Sequence, residues 1–161
     1  MNKKTLWLMM TLAALSLGLT ACGDTLGSKA LLFSNLSLSA GETGKITLSA
    51  SALPRFNSIQ VGPKGVVKYD PKVVEVLSIT GMNGFVVFAH DIDSGVGEIS
   101  LAAGSTAGPV PNGAILEFEV RAVGTSGATT QINITQLDFV LKNDSEPITG
   151  IKITPGQVSI N

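Results

Sequence analysis

Apolar and polar residues alternate with period two along most of the chain, and Gly and Pro break the alternation into short runs. Lys45 to Ala50 places Ile46, Leu48 and Ala50 on one face, after Gly41 and Gly44. Ile59-Gln60-Val61 stops at Gly62-Pro63, and Val66 to Tyr69 stops at the turn pair Asp70-Pro71. Val73 to Ile79 is β-branched and ends at Gly81. Phe85 to Phe88 follows Gly84, and Glu98 to Leu101 lies between Gly97 and Gly104. The clearest run is Ala114 to Val123, where Leu116, Phe118, Val120 and Ala122 face one way and Glu117, Glu119 and Arg121 the other. Thr130 to Ile134 alternates again, and Leu137, Phe139 and Leu141 keep the period. Gln157 to Ile160 reads as a closing strand. Beyond residue 22 no helical repeat persists past one or two turns. Eight to ten short strands at this spacing predict an all-β fold, an antiparallel sandwich with an aliphatic core.

The first 22 residues follow a different rule. Lys3 and Lys4 precede a mostly apolar stretch from Leu6 to Leu19, 14 residues long. A bilayer span needs about 20. This length suits the apolar region of an export signal. The stretch runs into Leu19-Thr20-Ala21-Cys22, which resembles the bacterial lipoprotein box. The resemblance implies cleavage before Cys22 and lipidation of its thiol, with acyl chains anchoring the product in a membrane. The expected organisation is a signal peptide over residues 1–21, a lipidated Cys and short tether over 22–33, and a sandwich domain over 34–161. Gly23, rather than Asp, follows Cys22. By the sorting rule of lipoproteins this favours the outer membrane in a two-membrane organism, and otherwise the outer face of the cell membrane.

Composition then narrows the function. The 161 residues carry 11 basic and 12 acidic side chains, a net charge of −1. Removing Lys3 and Lys4 with the signal leaves 9 against 12, or −3. No basic field exists to hold nucleic acid. One Cys rules out a disulfide within the chain and a Cys-based zinc site. One His rules out catalytic or metal arrangements that need two. No Gly-x-Ser-x-Gly elbow and no phosphate loop occurs. His90-Asp91-Ile92-Asp93 is the one cluster that suggests a cation site, and its place before Ser94-Gly95 predicts a solvated turn. Glu117 and Glu119 stand about 7 Å apart on one strand face, a spacing open to glycoside hydrolysis in principle. Arg121 beside them makes a wet sheet face the better reading. The sequons at Asn35, Asn133 and Asn143 are read as chance. Catalytic residues, metal ligands and cofactors are therefore expected to be none, and the chain is expected not to be an enzyme.

Two stretches resemble the cohesin domain family. One is Val66-Val67-Lys68-Tyr69-Asp70-Pro71-Lys72-Val73-Val74-Glu75-Val76, an apolar strand, Tyr-Asp-Pro, and an apolar-Glu-apolar strand. The other runs from Ile99-Ser100-Leu101-Ala102-Ala103-Gly104 through a small-residue loop with Gly108 to Gly113–Val120. Leu38-Ser39-Ala40-Gly41-Glu42 fits the family's opening. The resemblance spans most of residues 35–160. It implies a nine-stranded jelly-roll sandwich that presents one sheet face to a dockerin, a small calcium-loaded partner, with Tyr69 near the core. Partner-binding positions remain unassigned, because Gly62-Pro63-Lys64-Gly65 stands where dockerin binders tend to carry Asn and Asp. The expected function is a lipid-anchored envelope adaptor whose partner is a protein, dockerin-like or a surface-layer component. The alternative is a polysaccharide-binding module. Trp7 leaves with the signal, so sugar stacking would rest on few aromatics.

Overall fold

A computed structural model describes residues 27–62, 65–108, 110, 112–135, 140–143 and 146–161. Cys22, Pro63, Lys64, Leu137 and Phe139 lie outside the described residues. Those described contain fourteen strands and no helix. The strands are β1 (Ala30–Phe33), β2 (Leu36–Leu38), β3 (Thr43–Ser51), β4 (Ser58–Val61), β5 (Val67–Lys68), β6 (Val74–Gly81) and β7 (Phe85–Asp93). There follow β8 (Glu98–Ser105), β9 (Gly113–Ala122), β10 (Thr129–Ile134), β11 (Val140–Asn143), β12 (Glu146–Pro147), β13 (Lys152–Thr154) and β14 (Gly156–Ile160).

They form two sheets. One has five strands in the order β13-β1-β3-β9-β6. The other has nine, in the order β12-β11-β4-β8-β5-β10-β14-β2, with β7 paired to the free side of β8. The larger sheet is simpler than its count implies. β4 pairs with Leu101–Gly104 of β8, and β5 pairs with Glu98 and Ile99 of the same strand. β4 and β5 are thus two pieces of one strand, broken around Gly62. β10 and β11 run against β5 and β4 in the same way.

Alternation delivers the core as the sequence predicts. Ile46, Leu48, Leu116, Phe118 and Val120 project from the five-stranded sheet, and Ile59, Val67, Ile99, Leu101 and Ile132 from the other. All are buried. Phe33 and Phe118 meet at 5.8 Å between ring centroids, and Phe56 and Phe85 at 5.5 Å. Both pairs are tilted, as the quadrupoles of aromatic rings favour.

Three expectations need correction. The tether does not reach Phe33: Ala30–Phe33 is β1, paired to β3 and β13, with Leu31 and Phe33 buried. Its four residues are too few to show a clear period. The sheets are also not purely antiparallel. β1 pairs in parallel with β13, and β2 with β14. Side-chain alternation carries no information on strand direction, so the sequence is silent there. Finally, His90-Asp91-Ile92-Asp93 is not a turn. It is the second half of β7, and the reversal comes after it, where the Asp93 carbonyl accepts from Gly97 N–H at 2.9 Å.

Candidate docking face

β7, β8 and β4 lie side by side and expose one flat surface. Outward positions on β8 are Ser100, Ala102 and Gly104, since Ile99, Leu101 and Ala103 point into the core. Gln60 stands opposite Ala102, and Ser58 opposite Gly104. Ala89 and Asp91 flank the same row from β7. Small side chains in the centre leave a shallow groove of about 500 Å³ lined by Gln60, Gly62, Ala89, Asp91, Ser100 and Ala102.

A β-bulge between Val87 and Ala89 shapes one end of this groove. A bulge adds a residue, bends the strand and re-aims a side chain. Here the extra residue is Phe88, which is 61% exposed. Its ring lies across Gly104, where a Cβ would sit 2.9 Å from the ring edge. Val86 beside it is 48% exposed. Two large apolar groups thus stand in water at the rim of a small, mostly neutral groove. Lys68 and Glu98 close its other end with an ion pair at 2.8 Å.

The outer face of the five-stranded sheet is built differently. Lys45 Nζ donates to Glu117 at 2.6 Å, Arg121 pairs with Glu75, and Ser78 Oγ donates to Glu119 at 3.0 Å. The bond to Glu117, and then the charge of that carboxylate, hold the Lys45 ammonium above the ordinary lysine range. Glu117 and Glu119 are each engaged with a neighbour on the sheet, so this is a self-paired wet face.

The remaining sequence candidates form no cation site among the described residues. His90 and Asp91 both border the groove, but as consecutive strand residues their side chains leave opposite sides of β7. Among the described residues no three His, Cys, Asp or Glu side chains gather as a cation site would need. Tyr69 is 6% exposed, so it is no platform for a sugar ring. Asn35 has a structural task that its sequon hides: its Oδ1 accepts from Gln157 N–H at 2.8 Å where the chain passes from β1 to β2. Sequence reasoning missed Phe88 as a surface residue. Its place at the end of an apolar run reads as core, and only the bulge turns it outward.

The two-sheet sandwich leaves one open, apolar-rimmed face. Solved structures share its fold. The sixth cohesin of scaffoldin B from Acetivibrio cellulolyticus, solved in complex with a Cel5 dockerin, superposes with a TM-score of 0.70 at 13% identity, covering 84% of this chain and 100% of that one. The cohesin of a Coh-OlpA-Doc918 complex from Clostridium thermocellum gives 0.69 at 14% identity, over 84% of this chain and 100% of that one. A non-cellulosomal cohesin from the archaeon Archaeoglobus fulgidus gives 0.66 at 13%, over 84% and 92%. The chain therefore folds as a cohesin-like domain. No protein-family model matches the sequence, and no curated protein matches it.

Proposed function

We propose that this chain is a protein-recognition module that binds a dockerin-like partner through the outer face of its β7-β8-β4 sheet. The observation that carries the reading is the contrast between the two outer faces. One ties up its charges within the sheet. The other keeps a small-residue groove with Phe88 and Val86 exposed at its rim. Interface centres are depleted of charge and enriched in aromatic anchors. Structural neighbours solved with dockerins support the same class of partner.

The lipoprotein box at Leu19–Cys22 supports a further part of the proposal: the module is moored by lipid on Cys22 in the bacterial cell envelope. Two measurements test these parts separately. Titration calorimetry against dockerin-bearing proteins encoded near this chain reads docking, and the absence of any partner at micromolar concentration overturns it. Mass spectrometry of the membrane-extracted protein reads the anchor, and an unmodified Cys22 thiol overturns that.

A further inference from the structure

Beyond the Lys68–Glu98 pair the outer face of the larger sheet changes character. The residues that alternate outward there are Thr129 and Gln131 on β10, Gln157 and Ser159 on β14, and Ser37 on β2. The register sets them in two rows. Thr129 stands opposite Ser159, and Ser159 beside Ser37. Gln131 stands opposite Gln157, and Asn35, just before β2, continues that row by accepting the Gln157 N–H. None of these side chains is charged or aromatic. The outer face of the other sheet, by contrast, carries Lys45, Glu75, Glu117 and Arg121 in ion pairs.

A groove of about 300 Å³ lies on the β2 side of this patch, lined by Asn35, Leu36, Ser37, Gln157 and Ser159. β2 is the last strand of its sheet, so the groove is open along one side. Its hydroxyls are held in place. Ser37 Oγ and Ser159 Oγ lie 3.2 Å apart, and Asn161 Nδ2 donates to Ser37 Oγ at 2.9 Å. The amides are left open. The side chains of Gln131 and Gln157 are exposed and make no hydrogen bond among the described residues.

These groups select the guest. An ion would meet no opposite charge in either row. An apolar guest would cover amides and hydroxyls and leave them unsatisfied. A protein partner would find no aromatic or arginine anchor on the patch. Each amide and each hydroxyl both donates and accepts. Sugar hydroxyls have the same double capacity, so a neutral glycan can engage both rows. Half-buried Leu36 offers apolar contact to the C–H groups of a ring. From β10 to β2 the rows cross two strand spacings, roughly 10 Å, which gives linked sugar rings room to lie across them.

We propose that this patch binds a neutral oligosaccharide, its hydroxyls bonded to Gln131, Gln157 and Asn35 in one row and to Ser159 and Ser37 in the other. Recognition rests on hydrogen bonds, without an aromatic platform. The patch uses strands that take no part in the β7-β8-β4 groove, so it stands or falls independently of the function proposed above.

The test is a titration of the full chain with cellopentaose and, separately, with chitopentaose, followed by NMR at the side-chain amide protons of Gln131, Gln157 and Asn35. Saturable shifts there are expected at millimolar concentration with at least one of the two, and the tighter one tells a plain glucan guest from an acetamido glycan. Pentagalacturonate, which carries charge, should bind about tenfold more weakly. Gln131→Ala and Gln157→Ala should each weaken binding about fivefold, as the loss of one hydrogen bond predicts. Both side chains point outward, and a thermal melt equal to the parent's shows that the variants fold. No saturable shift with either pentaose, equal binding of pentagalacturonate, shifts centred on Phe88 and Ala102, or affinity unchanged in both variants would overturn the proposal.

Discussion

Gly97 and Tyr69 are locked backbone to backbone. The carbonyl of Gly97 accepts the Tyr69 N–H at 3.0 Å, and a Cβ on Gly97 would stand 2.1 Å from the Tyr69 carbonyl oxygen. Gly97 also holds a φ of +72°, which L side chains rarely adopt. Gly97→Ala therefore combines a backbone clash with an unfavourable dihedral. A loss on the order of 2–4 kcal/mol is expected. Urea unfolding followed by circular dichroism checks it, and a midpoint equal to the parent's would show that the β7-β8 turn relaxes freely.

Phe88 should matter to binding and not to folding. Its ring is mostly in water, so Phe88→Asp should leave stability within about 0.5 kcal/mol. As the apolar anchor of the proposed docking face, it should cost about 2 kcal/mol or more in partner affinity, roughly thirtyfold. Calorimetry beside a thermal melt separates the two. A partner that binds the Asp variant unchanged places its contact elsewhere.

The opposite balance is expected at Phe118. It is fully buried, and its ring meets Phe33 over β3 on the inner face of the same sheet. Phe118→Ala removes that contact and leaves a cavity, with an expected loss of about 3–5 kcal/mol. Urea unfolding reads the loss. A loss under about 1 kcal/mol would mean that the neighbouring aliphatic groups refill the space.

Alkali should unfold the domain partly through Tyr69. Its pKa is raised from 10.0 in the folded state by burial first and then by Asp93 and Glu75. The folded protein then keeps its phenol proton where the unfolded chain has lost its own. Stability from this group is full below the unfolded pKa of 10.0 and is lost as pH rises through the folded value. Tyr69 is the sole tyrosine, so its near-ultraviolet absorbance titrates one group. Folded protein should ionise later than urea-unfolded protein, and Tyr69→Phe should flatten the decline in stability above that pH. Coincident titration curves would contradict the burial of the hydroxyl.

Legibility in the sequence followed the physics of each element. β9 is read almost to the residue, because one of its faces is core and the other water, and its outward charges alternate without a break. β7 is read too short. Its bulge at Phe88 resets the period, and the polar residues after it look like a turn. The break near Gly62 is visible as a Gly-Pro stop, yet nothing local says that β4 and β5 share one neighbour, β8. The docking face is harder still. Ser100, Ala102 and Gln60 are ordinary outward residues in a strand, and only their juxtaposition makes a groove. The unpartnered Tyr69 hydroxyl is invisible for a related reason. The Tyr-Asp-Pro pattern places the ring near the core but says nothing of a partner for its oxygen.

The parallel pairing of β1 with β13 and of β2 with β14 ties the first described strands to the last ones. Contacts between residues so far apart in sequence slow the search for the native state. A chain emerging amino end first cannot seat Leu31 or Leu38 in their final ladders until Lys152 to Ile160 has followed. The sandwich is therefore closed only by its carboxyl-terminal strands, so a chain cut short before Lys152 would leave β1 and β2 without their parallel partners.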